Sequence, residues 1–358
     1  MRPATLTINL EHLVWNYHLL QQQAGDSSIM AVVKANAYGH GLLPVAKTLY
    51  QVGCRSFAVT DANEGELLRR VIPQGSDIVL FSGVFDAEDA MLCQKHGLTP
   101  VLTLAEQLTL LKSAGFTGKL WLKVDTGMSR MGVTSLPDIM DNIPPSMQLA
   151  GIMSHLACAD TPEHPLNTQQ ITQFKNIQHH TDAPAYSLFN SAGLIAFSQH
   201  INIDIARPGL ALYGIEPIPN QALGLKPIMQ LSSQIIQIKD VQQGQTVSYG
   251  ATWTASQAMR IAVVALGYAD GLPRLLSNQG QAWLDGQLLP IVGRVCMDYC
   301  MLAITDPNIH VGDEVIFFGW QPNQPSANQI ATQCQTITYE LFTGLGSRLN
   351  RRYIGGNP

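Results

Sequence analysis

Through the first two-thirds of the chain, short apolar runs alternate with segments of helical periodicity. The runs are Ile29–Val33, Phe57–Thr60, Ile78–Phe81, Pro100–Leu102, Leu120–Val124, Leu149–Met153, Ala185–Phe189 and Ile203–Ala206. Glu64–Val71, Ala87–Lys95, Leu104–Ser113 and Gln169–His179 lie between them and read as helices. Short apolar runs suit buried strands, and their alternation with helices predicts a parallel sheet covered by helices. Eight such units is the number a closed (β/α)8 barrel needs. The turn after the first run, Lys34-Ala35-Asn36-Ala37-Tyr38-Gly39-His40-Gly41, lacks the glycine fingerprint of an open dinucleotide-binding sheet. Ahead of the barrel pattern, Thr5–Leu10 reads as a strand followed by a helix.

The texture changes after about Gly224. Leu231–Ile238, Arg260–Leu266, Ile291–Val295, Cys300–Ile304 and Glu314–Phe318 read as strands, punctuated by turn signals such as Asp285-Gly286. The stretch after Trp320 reads as a surface loop, and the one long helical pattern is Tyr339–Leu349. Pro217, Pro219 and Pro227 cluster at the change. The predicted organisation is α/β plus β: a TIM-like barrel over residues 1–222 and a mostly β domain over 223–358.

Composition narrows the function classes. The 358 residues are 46% hydrophobic and 13% charged, with a formal net charge of -5, so no basic excess points to nucleic acid or an anionic membrane. No apolar run approaches a bilayer span, and the first residues lack a signal-peptide layout. Cys54, Cys93, Cys158, Cys296, Cys300 and Cys334 are scattered without Cys-x-x-Cys spacing, which fits free thiols in a reducing, cytoplasmic setting. Asp160, His164 and Asp182 make no convincing metal set, so no metal is expected. His40-Gly41 reads as the start of a helix and His179-His180 as a solvated helix end.

Reactive groups in such barrels collect where strands end. Lys34 directly follows the first apolar run. Partial burial there lowers an amine from its usual pKa of about 10.4 and makes it a nucleophile or base. Position alone leaves the solvated loop lysine equally open. Tyr268 and Arg207 are similarly ambiguous: a strand-end aromatic at a turn, and an arginine before a Pro-Gly turn.

The motifs around these residues change the reading. Val32 through Gly41, Lys123-Val124-Asp125-Thr126-Gly127-Met128-Ser129-Arg130-Met131-Gly132, Ser154-His155, Asn190-Ser191-Ala192 and Arg207 through Gly214 follow one another in order. Ser248-Tyr249-Gly250-Ala251-Thr252, Gly267-Tyr268-Ala269-Asp270-Gly271, Val292 through Asp298 and Tyr339-Glu340 continue the series. Together they resemble the alanine racemase family of fold-type III pyridoxal-phosphate enzymes, over nearly the whole chain.

The resemblance implies pyridoxal 5'-phosphate as cofactor and interconversion of L- and D-alanine in a cytoplasmic homodimer, for D-alanine biosynthesis or, equally open from the sequence, its degradation. It makes Lys34 both the Schiff-base lysine and one of two opposed bases, with Tyr268 the other. A tyrosine, with a usual pKa of about 10, is a poor base at pH 7 unless cations favour its phenolate. His155, Arg207 and Arg130 are candidates for that help, and His155 is also a candidate cofactor contact. Arg207 would face the pyridine nitrogen. An ever-charged guanidinium accepts no proton from it, which limits side reactions. The phosphate would be held by Tyr38, Ser191, Gly209, Leu210 and Tyr339, with Asn190 beside them. Arg130 and the Met297 backbone N–H would hold the substrate carboxylate, and Asp298 would shape the entrance. Tyr268, Met297 and Asp298 are expected from the partner subunit. Lys123 is a candidate for carbamylation, which would let it pair with Arg130. The alternatives are a racemase of serine or another small amino acid, a barrel-type amino-acid decarboxylase, and a non-catalytic pyridoxal-phosphate-binding protein.

Overall fold

The computed structural model describes residues 2–133 and 135–356. They form two compact units. One comprises Leu13–Ala37 with Gly41–Lys226, and the other the described parts of Met1–His12, Tyr38–His40 and Pro227–Pro358.

In chain order the first strand is β1 (Thr5–Asn9), followed by helix Leu10–Ala24. The larger unit then contains β2 (Ser28–Val32), β3 (Ser56–Val59), β4 (Asp77–Leu80), β5 (Thr99–Leu102), β6 (Lys119–Lys123), β7 (Gln148–Met153), β8 (Tyr186–Ser187) and β9 (Ile205–Ala206). Each of the eight apolar runs contributes one of these strands. They pair in parallel in the order β8-β7-β6-β5-β4-β3-β2-β9, with Ala31 opposite Phe57 and Phe57 opposite Ile78. Backbone bonds from Asp204 N–H to Tyr186 O (2.9 Å) and from Arg207 N–H to Phe189 O (2.8 Å) join the two ends of the ring. The sheet is therefore the expected barrel. Ala31, Phe57, Ala58, Ile78, Val79, Leu102, Leu120, Leu122 and Ile152 are fully buried. Each large side chain among them contributes about 1.5–3 kcal/mol.

The helices outside start where polar side chains take up their free N–H groups. Asp61, Asp86 and Asn190 accept from Glu64, Asp89 and Gly193 N–H at the heads of Ala62–Arg69, Ala87–His96 and Ser191–Phe197. Pro165–His180 presents Asn167, Gln170, Ile171 and Phe174 inward. Two of these four are polar: Asn167 donates to Cys158 O and Thr161 O (both 3.0 Å), and Gln170 has partners at the site described below.

The second unit is β-rich. It contains β10 (Met229–Val241), β11 (Thr246–Val247), β12 (Trp253–Thr254), β13 (Met259–Val264), β14 (Gln281–Leu284), β15 (Gln287–Pro290), β16 (Cys300–Ile304), β17 (Glu314–Phe318) and β18 (Asn350–Ile354). The main path runs β15-β14-β17-β10-β1-β18, and β13 bridges β10 to β16. The amino-terminal β1 is thus part of this sheet, antiparallel to β10 (Leu6 opposite Leu231) and parallel to β18 (Thr5 opposite Asn350). Long β10 serves two sets of partners across a register shift between Ile235 and Gln237. Asp285-Gly286 turns the β14–β15 hairpin with both φ angles positive (43° and 90°).

Two expectations for this half are corrected. Ile291–Val295 is not a strand. Ile291 makes an isolated bridge to Leu302, and Gly293, at φ 73°, gives its N–H to Asn278 Oδ1 (2.6 Å) instead of a ladder. The helix expected over Tyr339–Leu349 spans only Thr338–Thr343, because the chain leaves at Gly344 and Gly346 N–H bonds to Asp270 O (3.0 Å). The Pro/Asn/Gln stretch after Trp320 is a loop as expected, and helix Ala327–Gln333 follows it, begun by a reciprocal cap between Ser326 and Gln329. Among the described residues no helix is long and apolar enough to cross a membrane.

Candidate active site

Lys34 leaves the carboxyl end of β2 on an unusual turn. Ala35, Asn36, Ala37 and Tyr38 all have φ between 51° and 54°, a left-handed stretch without glycine. Such a conformation costs about 1–2 kcal/mol per residue, so it persists only where the surroundings fix it. Asn36 is the pin. Its Oδ1 accepts from Leu42 N–H (2.8 Å), its carbonyl from Gly41 N–H (2.9 Å), and its own N–H donates to Glu64 Oε1 (3.2 Å). The other Glu64 oxygen accepts from Thr60 N–H (2.9 Å). Burial, and then the Arg130 guanidinium, lower the Lys34 amine below the ordinary lysine value, while Glu64 opposes them.

Three more cations act in the same region. Lys123 ends β6, and burial followed by Arg130, Arg207 and Lys34 lowers it to about 8. Arg130 lies on the following loop. There, burial opposes the charge of Asp125, but the Gly127, Ser129 and Met128 amides outweigh it and hold that carboxyl below its usual range. Arg207 follows β9, is almost fully buried, and is lowered by burial to about 10, so it stays charged at neutral pH. Its guanidinium donates to Ser187 Oγ and to Ser154 O (2.5 Å), with His155 Nδ1 at 3.5 Å. Burial and then Arg207 push the His155 imidazole well below its usual pKa, which keeps it neutral and able to accept.

Sequence reasoning missed what stands behind this group. Gln170, fully buried, donates to His155 O (2.9 Å) and Thr126 Oγ1 (3.2 Å), and Thr126 bonds the Ser154 hydroxyl (2.8 Å). The available signal was a glutamine on the buried stripe of helix Pro165–His180.

Ser191 Oγ accepts from Gly209 N–H (3.0 Å) and Ala211 N–H (3.2 Å), tying the start of helix Ser191–Phe197 to the turn after β9. Asn190, not Ser191, caps that helix, through Oδ1 to Gly193 N–H (2.8 Å). Leu210 lies buried in the same turn. In the β-rich unit, the Tyr38 and Tyr339 rings are 5.6 Å apart. Burial, then Tyr339, push the Tyr38 phenol upward, so its hydroxyl stays a donor. Also in that unit, Tyr268 stands half-exposed on the turn Tyr268–Asp270. Tyr268 N–H and Ala269 N–H donate to Cys296 O and Met297 O (both 3.0 Å), which joins this turn to the loop carrying Met297 and Asp298.

The structure thus brings Lys34, Lys123, Arg130, His155 and Arg207 into one electrostatic group, Ser191 to Gly209, Tyr38 to Tyr339, and Tyr268 to Met297 and Asp298. The two carboxylates that act on Lys34 and Lys123, Glu64 and Asp125, are both spent on backbone amides. Four cations without free counter-charges fit an anionic ligand, and tyrosine and serine hydroxyls fit a phosphate. A cavity of about 280 Å³ lies at the opposite, amino-terminal ends of the strands, between Ser56, Asp77, Thr99, Lys119 and Gln148, away from Lys34. Among the described residues no cluster of His, Cys, Asp or Glu suits a metal.

Fold and site define a barrel protein with a desolvated lysine and a cationic strand-end site, joined to a β-rich unit. Residues 8–217 match the amino-terminal domain of alanine racemases and residues 228–353 the carboxyl-terminal domain. The chain is 36% identical to an alanine racemase of Halothermothrix orenii, covering 99% of this chain and 98% of that protein. It is similar to the crystal structure of a biosynthetic alanine racemase from Pseudomonas aeruginosa, with TM-score 0.90, 35% identity and 99% of each chain covered. An alanine racemase from Bartonella henselae with covalently bound pyridoxal phosphate gives TM-score 0.90 at 33% identity, covering 99% of this chain and 100% of that one. The chain belongs to the alanine racemase family.

Proposed function

We propose that the chain interconverts L- and D-alanine with pyridoxal 5'-phosphate, through Lys34 and Tyr268 acting on opposite faces of the α-carbon. The observation that carries this reading is the Lys34 amine, lowered by burial and Arg130 among cations that no free carboxylate balances. Bound pyridoxal phosphate supplies an electron sink that acidifies the α-hydrogen of an amino acid.

Lys34 would hold the cofactor covalently. Tyr38, Tyr339, Ser191 and the Gly209-Leu210 turn would hold its phosphate, with Asn190 fixing the adjoining helix start. Arg207 would face the ring nitrogen as a hydrogen-bond donor only, and neutral His155 would set the plane of that guanidinium. Arg130 would take the substrate carboxylate with its fork, together with the Met297 N–H. Asp298, already engaged by arginines, would line the entrance without repelling that carboxylate. Lys34 Nζ then takes the proton from one face while Tyr268 Oη gives one to the other, and the reverse reaction exchanges their roles. With Lys123 lowered to about 8, a fraction of its amine is neutral and open to carbon dioxide. The carbamate so formed would be an anion beside Arg130.

Tyr268, Met297 and Asp298 are proposed to serve the barrel of a second copy in a homodimer. Mixing inactive Lys34→Ala and Tyr268→Ala proteins tests this. Random exchange of subunits should restore about a quarter of normal racemisation, from the one intact site in each mixed dimer. No recovery after verified exchange refutes the shared site. Running the assay with alanine and serine, and measuring released carbon dioxide, separates the racemase from its alternatives.

A further inference from the structure

We propose that Arg2, Arg348 and Asp270 are positioning residues, a charge clamp that holds the Tyr268 turn in register with the Met297-Asp298 loop. The inference rests on the reading of Tyr268 and Met297 given above. Asp270 is fully buried, and a carboxylate so placed must be paired. Its Oδ2 lies 3.0 Å from Arg2 Nη2 and accepts from Gly267 N–H (3.0 Å), while its Oδ1 lies 3.2 Å from Arg348 Nε. The same two arginines reach the neighbouring loop. Arg2 Nη2 donates to Asp298 O (2.7 Å), and Arg348 Nη2 to Asp298 Oδ1 (2.6 Å). Each guanidinium therefore touches both segments, and two positive charges balance two negative ones.

The backbone leaves the turn little freedom to settle elsewhere. A side chain on Gly267 would place its Cβ 2.4 Å from both Cys296 O and Met297 O. Gly271, at φ 103°, would place one 2.6 Å from Gly344 O. Gly346 N–H holds the Asp270 carbonyl from that second side. The phenol is thus mounted on a turn packed between two loops, with its orientation set by ion pairs instead of by burial of its own ring. Arg348 is the accessible member, so it is the one to vary.

The test uses the cofactor-loaded enzyme with Arg348→Met, Arg348→Lys and Tyr268→Phe. Backbone hydrogen exchange of the segments around Tyr268 and Met297 should quicken about tenfold or more in Arg348→Met, with other segments unchanged. Inversion should fall roughly 10- to 100-fold, while uptake of solvent deuterium at the α-carbon of one enantiomer stays within about twofold, because Lys34 still serves its face. Arg348→Lys should recover part of both effects. Unchanged backbone exchange in Arg348→Met overturns the clamp. Quickened backbone exchange with inversion and deuterium uptake falling together overturns its role in catalysis. Tyr268→Phe judges the two-base reading separately: it must lose inversion and keep one-sided deuterium uptake, whatever Arg348 does.

Discussion

The two groups of candidate site residues are prepared by opposite physics. In the barrel, Lys34, Lys123 and His155 are desolvated and crowded by like charges, and Arg207 is desolvated, so burial, with repulsion at the first three, weakens their protonated forms. In the β-rich unit, Tyr268 and Met297 are open to solvent, Asp298 is partly so, and the charges beside them are matched, arginine against aspartate. A cationic site pushes protons off amines and attracts anions. A neutralised clamp changes no charge but fixes a direction. On the proposed two-base reading, proton chemistry at one face would depend on electrostatics, and at the other on geometry.

The largest effect should come from the residue on which the barrel group centres. Lys34→Ala is expected to lower inversion and α-deuterium uptake together, for both enantiomers, by about 10³-fold or more, since on the proposed reading base and cofactor attachment would go at once. Nuclear magnetic resonance of alanine in heavy water reads both quantities in one sample. If Lys34→Ala instead keeps one-sided uptake, like a loss confined to the β-rich unit, the asymmetry between the two groups is wrong.

The two regions also differed in how far they were legible in the sequence. Parallel strands are buried on both faces, so Ile78–Phe81 appears as an unbroken apolar run and Leu120–Val124 as one interrupted only by Lys123. In the β-rich half, Ile291–Val295 has the same texture, yet a glycine with positive φ and an Asn278 cap turn it out of the ladder. The end of helix Thr338–Thr343 depends on a bond to Asp270, some seventy residues away in the chain. The site follows the same division. Local motifs pointed to Lys34, Arg130, Arg207 and Tyr268 as single side chains. Their supports, Ser187 under Arg207, Gln170 under His155, and Arg2 and Arg348 around Asp270, are pairings between distant positions that no local pattern announces.

A smaller effect should sharpen the account of the cation group. At pH 7.5 an amine lowered to about 8 is roughly one-quarter neutral. On the proposed reading the neutral Lys123 nitrogen would attack carbon dioxide, a proton would leave to solvent, and a carbamate anion would form among Arg130, Arg207 and Lys34. In ¹³C-labelled bicarbonate the enzyme should show a protein-bound carbamate carbonyl resonance that vanishes in Lys123→Met, with racemisation reduced about tenfold through a less well held Arg130. A protein without that resonance would leave the cations unbalanced until substrate and cofactor arrive.

The smallest effect concerns stability. His155 has a folded-state pKa well below its usual value, because burial and Arg207 disfavour the imidazolium. As pH falls through about 6.5 the unfolded chain takes up a proton that the folded protein refuses, so stability decreases with falling pH and is fully present only above that range. His155→Gln has nothing to titrate and should lose less on acidification. Comparing melting temperatures at pH 7.5 and 5.5, the wild type should drop about 2–4 °C more than the variant. The difference between the two slopes is the quantity to read, since the variant also alters the contact with Arg207 at every pH. Parallel slopes would mean that the folded protein protonates His155 as readily as the open chain does. The cation crowding that sets the barrel apart from the β-rich unit would then not reach this residue.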